Sequence, residues 1–590
     1  MKKSFLLARL SKRALFFTLF GVALVACKPD EPQTPPDPPV VDSDSVPVDT
    51  VPVVVPKTIV DTIDSMYPAY KYTVPSYVQL CVAKEKARRD LSGENIRVMY
   101  EKVEELVGKE EPYCMVATIN GDPKNRMGFC WFTNDSIYDG VVQLVASEDA
   151  TEADFEGAGV LTFEAEANQT KALRYTGICK YITSMAGLPK NQKYRYISHK
   201  AVATSLVPGT AYSWRCGYPG HWSEIAHFRT EDEGQGEFSF IYMTDSHIMN
   251  PEYISYARRC AIAAAKTVPE ARFCVFPGDF VEDGTVANSE WEWERWFEEA
   301  MKPVIMQMPI APTDGNHDDS PNYNYTIHFN TDNQFNMMVT RKPQFEGIVY
   351  SFVYGDALFL VFSMQDFWRE DYSYVNKTSE YLTDHISPWF RDQVRQHPNT
   401  KYRISLAHFN LFSGSDHSTD EEPPLFRACM LPTMKACEID VALQGHDHTY
   451  EVIGPVDPDS LKPILSAITD REVVPVDDNK NRTGYKGGTY RTDDGTLYFI
   501  GATCGRKRYY PHSRERMESD YTAGKHDVPN YFDLFTGMFG QPERPSFTKI
   551  TVKDDCIEFN SYTADDSEGN VTLYNTMRVV RTRPHNIPLD

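Results

Sequence analysis

The sequence predicts an α/β fold preceded by an all-β sandwich domain, and three observations predict it. Between residues 111 and 232, short apolar runs alternate with turn clusters, the pattern of a β-sandwich. Between residues 233 and 585, apolar runs of strand length alternate with stretches of helix length, which implies layered sheet and helix. Five of those later runs end directly in residues able to grip metal ions, and open α/β sheets place their ligands at the carboxyl ends of strands.

At 590 residues the chain has room for two or three domains with full cores. A formal net charge of -23 argues against nucleic acid as a general partner, because a phosphate backbone needs a basic face. It does not exclude a small phosphorylated substrate, since bound cations invert the local field. Of twelve cysteines, Cys130, Cys260 and Cys274 sit inside apolar patterns and read as buried thiols. No spacing dictates a pairing.

The first residues read as an address. Residues 1–13 are basic, and residues 14–23 form an apolar run too short to span a bilayer as a normal helix. Leu24-Val25-Ala26-Cys27 follows and resembles a bacterial lipobox, which implies removal of residues 1–26 and lipidation of Cys27. Residues 27–57, rich in Pro and Asp, cannot bury a core and read as an extended tether. The expected location is the cell envelope, with the membrane as a partner through the anchor. Residues 58–110 form an extension without a functional reading.

In the sandwich, residues 113–117 and 127–132 read as strands, followed by Leu206-Val207-Pro208-Gly209-Thr210-Ala211-Tyr212-Ser213-Trp214. There Pro-Gly makes the turn and alternate aromatics face the core. The acidic, Gly-containing run 231–236 is the expected hinge into the α/β domain.

The metal-gripping residues then come in order. Residues 238–243 read as a strand, and Thr244-Asp245-Ser246-His247 follows directly. Alternate positions of an extended segment point the same way, so Asp245 and His247 can hold one ion. A helix over 251–268 leads to a strand over 273–276, which Pro277-Gly278 ends abruptly. Asp279 is thus presented at a strand end, with one oxygen available for each of two ions. A helix over 288–301 and an apolar run over 304–310, read as a strand, deliver Asp314-Gly315-Asn316-His317-Asp318. The carbonyl of Asn316 can ligate without adding charge, and His317 beside it can touch a substrate. A helix over 379–397 precedes a strand over 402–407 and then His408. A strand over 439–443 ends in Gly445-His446-Asp447-His448, whose two imidazoles can serve neighbouring ions. Each piece alone is common. Their joint order is the signal.

In that order, residues 238–450 resemble the calcineurin-like metallophosphoesterase superfamily. The 206–214 segment resembles the fibronectin type III-like domain that opens purple acid phosphatases, and the Gly445–Glu451 segment points to the same members. The resemblance implies a four-layer α-β-β-α metallophosphatase sandwich. It assigns Asp245, His247, Asp279 and His448 to one metal and Asp279, Asn316, His408 and His446 to the other, with Asp279 as the bridge. Such mixed nitrogen and oxygen ligands suit Zn, Fe or Mn. Purple acid phosphatases carry a Tyr three residues after the bridging Asp and lack a His at the position of His247. Here Glu282 stands in place of that Tyr, so a site without an iron–phenolate band is expected.

Two ions about 3.5–4 Å apart would clamp phosphate oxygens and acidify water for in-line attack. His317 is the expected general acid or transition-state stabiliser, assisted by Asp318 or Asp279. His417, in the polar loop after His408, is a further catalytic candidate. Arg506 and Lys507, in a basic turn after a strand over 496–500, and Trp368 are candidate substrate contacts, for a phosphorylated small molecule or a glycan-linked one. The leading reading is a phosphomonoesterase. A phosphodiesterase on the same site, and a surface binding lipoprotein with a vestigial site, are the alternatives.

Overall fold

Two mixed β-sheets face each other, and the parallel strands of each run toward one common edge. The computed structural model describes residues 111–134, 137–169, 173–174, 193–194, 196–282, 290–318, 324–334, 347–364, 378–474 and 484–587, with Ala83 and Lys86. Among the described residues the first sheet has twelve strands, and at its centre Phe238–Tyr242, Cys274–Pro277 and Ile310–Thr313 run parallel. The second has eight, with Ala357–Val361, Tyr402–Leu406, Val441–Gln444 and Thr496–Gly501 parallel.

These strands are apolar on both faces because both faces are covered. Between the sheets, Phe273 meets Phe352 and Phe359 edge-on at 5.6 and 5.5 Å, and Tyr242 meets Phe499 at 5.4 Å. Helix Pro251–Thr267 packs on the outside of the first sheet and helix Ser387–Gln396 on the outside of the second, completing the α-β-β-α order. The first of these helices starts at Asn250, whose side chain accepts from the Glu252 and Tyr253 amides, with Pro251 pre-set in the first turn.

One element differs from its sequence reading. Of the apolar run 304–310, Val304 and Ile305 belong to the short helix Lys302–Ile305, and the strand is Ile310–Thr313. Pro303 opens that helical turn. A short apolar run fits helix and strand alike, so periodicity could not separate them. The helices expected over 288–301 and 379–397 each contain a π-helical stretch, Trp296–Ala300 and Tyr381–Ile386.

The front domain is a sandwich with Trp131 and Trp214 buried at its centre. One of its sheets holds Val141–Val145, Leu161–Glu164, Ala211–Tyr218, His221–Trp222 and Ala226–Arg229. The other, Tyr113–Thr118, Met127–Asn134, Tyr196–Ala203 and Glu166–Gln169, is the outer end of the twelve-stranded sheet. Tyr113–Thr118 joins Ile310–Thr313 in parallel at Thr118 and Ile310. Asn330 pins this seam: its side chain donates to the Phe129 and Ala201 carbonyls, and its carbonyl accepts from Thr118 and Asn120. The described residues all fall within one compact unit, Val55–Asp590. Their nine cysteines are buried free thiols. Among the described residues no helix is long and apolar enough to cross a membrane.

Candidate metal centre

Every expected ligand stands at the carboxyl end of one of the parallel strands. Asp245 and His247 follow Phe238–Tyr242, Asp279 follows Cys274–Pro277, and Asn316 follows Ile310–Thr313. His408 follows Tyr402–Leu406, and His446 and His448 follow Val441–Gln444. Four of these, Asp245, His247, Asp279 and His446, have φ between 47° and 70°. Left-handed non-glycine backbone costs on the order of 1–3 kcal/mol per residue and persists only where surrounding bonds over-determine it. Here they do. The Asp245 and His247 amides donate to the carbonyls of Gly278 and Asp279, and the His446 amide to Asp245. Gly278 and Gly315 make this crowding possible: a Cβ at Gly278 would lie 2.7 Å from His408 Nδ1, and one at Gly315 would lie 2.3 Å from the Asp279 nitrogen.

The donor atoms gather in two groups that share Asp279. Asp245, His247, Asp279 and His448 have ligand atoms within 4.8 Å of one another, and so do Asp279, His408 and His446. Asn316 joins the second group, with Oδ1 3.1 Å from His408 Nε2. The sharing is done by one oxygen. Asp279 Oδ2 lies 3.3 Å from His247 Nε2 and 3.2 Å from His408 Nε2. Asp279 Oδ1 instead accepts from the His317 amide at 2.9 Å. Oδ1 thus bonds the Gly315–Asp318 turn, while Oδ2 faces both donor groups.

The donors fit metal ions. His408 Nδ1 lies 2.7 Å from the Pro277 carbonyl, an acceptor only, so it carries the proton and Nε2 offers a lone pair. That lone pair faces Asp279 Oδ2 and Asn316 Oδ1, both acceptors. His247 Nδ1 likewise donates to Glu282 Oε2 at 2.9 Å, which turns its Nε2 lone pair toward His448 Nε2, 3.0 Å away. Such acceptor-only clusters, buried, call for a shared cation, and outer bonds of this kind orient ligating imidazoles. Burial would lower His408, but the carboxylates of Asp279 and Asp245 push it up to about 10, so this pocket favours positive charge, either a proton on Nε2 or a cation in its place. Against the burial that would raise it, the imidazoles of His408, His317 and His247 hold the Asp279 carboxyl well below the usual range.

Asp318 faces away from this cluster. It is fully buried, and its carboxylate accepts from the amides of Asp279, Phe280, Val281 and Gly315 at 2.6–3.2 Å. It is therefore a positioning residue that ties the Asp279 turn to the Gly315 turn, not the catalytic partner expected. His317 is half-buried at the edge of the centre, its ring 4.7 Å from that of His247, and its Nδ1 donates to the Glu282 carbonyl at 2.6 Å. Its Nε2 is the atom left for a ligand.

The rim is built by two loops. His417 stacks on His446 at 3.8 Å and pairs through Nδ1 with Asp420 at 2.7 Å. Asp447 holds that loop, accepting from Ser413 and Ser415. After Thr496–Gly501, the basic turn splits. Lys507 reaches Glu282 Oε2 at 2.6 Å, and Tyr509 stacks on His448. Arg506 turns outward to Glu252, so the structure does not bring it to the centre. Alternation carries the reason: 507 and 509 point one way, 506 and 508 the other. Read that way, the sequence contained Tyr509 and the division of the basic residues, and Asp447 likewise alternates with its two histidines. Trp368 and Cys27 lie outside the described residues.

Comparison with known proteins accords with this geometry. Residues 112–230 match the family described as purple acid phosphatase, N-terminal domain, and residues 238–450 match calcineurin-like phosphoesterase. Acid phosphatase type 7 of Danio rerio is 23% identical over 278 residues, covering 44% of this chain and 58% of that protein. Purple acid phosphatase 15 of Arabidopsis thaliana is 23% identical over 286 residues, covering 43% and 49%. The chain thus spans about half the length of these curated relatives. A purple acid phosphatase structure from yellow lupin, Lupinus luteus, superposes with a TM-score of 0.54 at 14% identity, over 80% of this chain and 75% of that one. The chain joins a purple acid phosphatase-type N-terminal domain to a calcineurin-like phosphoesterase domain.

Proposed function

We propose that this chain is a metal-dependent hydrolase of phosphate esters, acting on monoesters and held outside the cytoplasm by a lipid on Cys27. The observation that carries the hydrolase reading is the pair of donor groups sharing Asp279 Oδ2, with His317 beside them. A pair of Zn, Fe or Mn ions held there supplies Lewis-acid charge to phosphoryl oxygens and lowers the pKa of water. The chain does the rest. Glu282 and Pro277 fix the tautomers of His247 and His408, so that both present Nε2 inward. The Glu282 carbonyl fixes His317 in the same way, leaving Nε2 toward the site; burial favours the neutral ring, and Nε2 gives a proton to the leaving oxygen only as the imidazolium. His417, on the opposite rim, presents its own Nε2 while Asp420 holds Nδ1.

The lipid anchor rests on Leu24-Val25-Ala26-Cys27 and the tether behind it. A Cys27→Ser chain recovered in the soluble fraction would support it; an unchanged membrane fraction would count against it.

The test of the activity is metal analysis by mass spectrometry together with phosphate release from an aryl phosphate. Two metals per chain and release that a chelator abolishes are expected. Cleavage of aryl diesters alone would make the chain a phosphodiesterase. Absence of bound metal from a folded preparation offered Zn, Mn and Fe would leave the vestigial-site reading.

A further inference from the structure

We propose that Lys507, held in place by Glu282, selects the doubly charged phosphate monoester over the diester, an inference that rests on the hydrolase reading above. Glu282 Oε2 accepts from two groups at once, His247 Nδ1 at 2.9 Å and Lys507 Nζ at 2.6 Å. One carboxylate oxygen therefore links the outer face of a ligand imidazole to a cation. The Lys507 side chain remains 21% exposed, so the ammonium has an open side. Glu282 engages one of its three N–H donors, and two stay available to a ligand.

The turn that carries Lys507 is fixed. The Cys504 amide donates to the Thr244 carbonyl at 2.9 Å, and Thr503 Oγ1 donates to the Asp245 carbonyl at 2.5 Å. A Cβ at Gly505 would stand 2.4 Å from the Ser246 carbonyl, so the turn lies directly on the backbone of the first ligand loop. Arg508 folds back on the carbonyls of Gly505 and Lys507. Tyr509 locks the far end against His448. A long, flexible side chain is thereby pre-set before any ligand arrives, which is where a charged donor is worth most.

The chemistry of the ligand gives the selectivity. A phosphate monoester has three non-bridging oxygens and a diester has two, the third place being taken by a carbon substituent. Were bound ions to engage two oxygens, an ammonium at the rim would have a charged acceptor in the monoester and none in the diester. A hydrogen bond to a charged group is worth roughly 10- to 100-fold in affinity. Arg506 and Arg508 do not compete for the role, since the first is paired with Glu252 and the second is folded onto its own turn.

The test uses the full chain with Lys507→Met, Lys507→Gln and Lys507→Arg. The ratio of kcat/KM for phenyl phosphate to that for a bis-aryl phosphodiester is measured. Binding of inorganic phosphate is followed by calorimetry, and metal content by mass spectrometry. The Met and Gln variants are expected to lose about tenfold or more in the ratio and in phosphate affinity at unchanged metal content, with Arg restoring most of both. An unchanged ratio in either neutral variant would overturn the proposal, as would a wild-type chain that prefers the diester. If Lys507→Met lost its metals or failed to fold, Lys507→Gln would decide. A wild-type chain that cleaves neither ester would sink the hydrolase reading, and the phosphate titration would still judge Lys507.

Discussion

Tyr509 lies flat on His448, ring centroids 4.3 Å apart and planes 3° from parallel. The phenol ring walls one face of an imidazole that has no hydrogen bond on Nδ1. Packing here does for His448 what Glu282 and Pro277 do for the other ligands through hydrogen bonds. Aromatic pairs contribute about 0.5–1.5 kcal/mol beyond burial. Tyr509→Ala is therefore expected to weaken retention of one metal by roughly 3- to 10-fold, and Tyr509→Phe to retain it. Competition with a chromophoric chelator measures both. Equal loss in the two variants would show that the hydroxyl, not the stack, matters.

Removing Asp318 leaves four buried amide donors without an acceptor. Asp318→Ala is expected to cost about 3 kcal/mol of stability, since hydrogen bonds to charged groups contribute about 1.5–3 kcal/mol each and the turns relax in part. Turnover falls as well, because the Asp279 carboxylate loses its register. Asp318→Asn keeps one acceptor oxygen and falls between. Thermal unfolding and kcat, measured on the same preparations, check the order wild type, Asn, Ala.

Metal counts separate a shared ligand from a private one. Asp279→Ala is expected to empty both positions, since Oδ2 faces both His247 and His408. His408→Ala removes a donor from one group only and is expected to retain about one ion per chain, by the arithmetic of the two groups. Mass spectrometry of the intact protein under gentle conditions reads the difference directly. One ion retained in Asp279→Ala would mean that the aspartate does not bridge.

Glu231, at the end of the front domain, accepts from the Gly355 amide at 2.9 Å. Burial raises its carboxyl from the ordinary 4.5 to about 7. The sign follows from proton counting. Between those values the folded chain holds a proton that the unfolded chain has lost, so stability falls as pH rises from 4.5 to 7. Above pH 7 the folded state bears the full penalty, at most about 3 kcal/mol for such a shift. Glu231→Gln keeps the bond to Gly355 and removes the titration. Its advantage over the wild type should grow between pH 5 and pH 8 in denaturant melts. A constant difference across that range would contradict the burial argument.

Much of this was legible in the sequence, and the parts that were not have physical reasons. Asp245, Asp279, His408 and the His446–His448 pair could be read because each follows a strand, and strand ends have a local signature. Asp318 was misassigned because its neighbours Asn316 and His317 belong to the centre, while the turn at Gly315 rotates it to the inside. Glu282 was read only as the residue replacing a tyrosine. That it links His247, His317 and Lys507 depends on contacts between separate segments, the one to Lys507 over 200 residues along the chain, which no spacing encodes. The helical turn at Val304 was hidden by a run too short to carry a period.

The joined ladder at Thr118 and Ile310 has a consequence for motion. With Asn330 bonded into three strands of the front domain, the two domains share one continuous sheet. Any movement over the site is then left to the rim loop around His417, since the turn that carries Lys507 is itself bonded to the first ligand loop. The front domain instead forms a wall continuous with the first sheet, bonded directly to the strand that leads to Asn316.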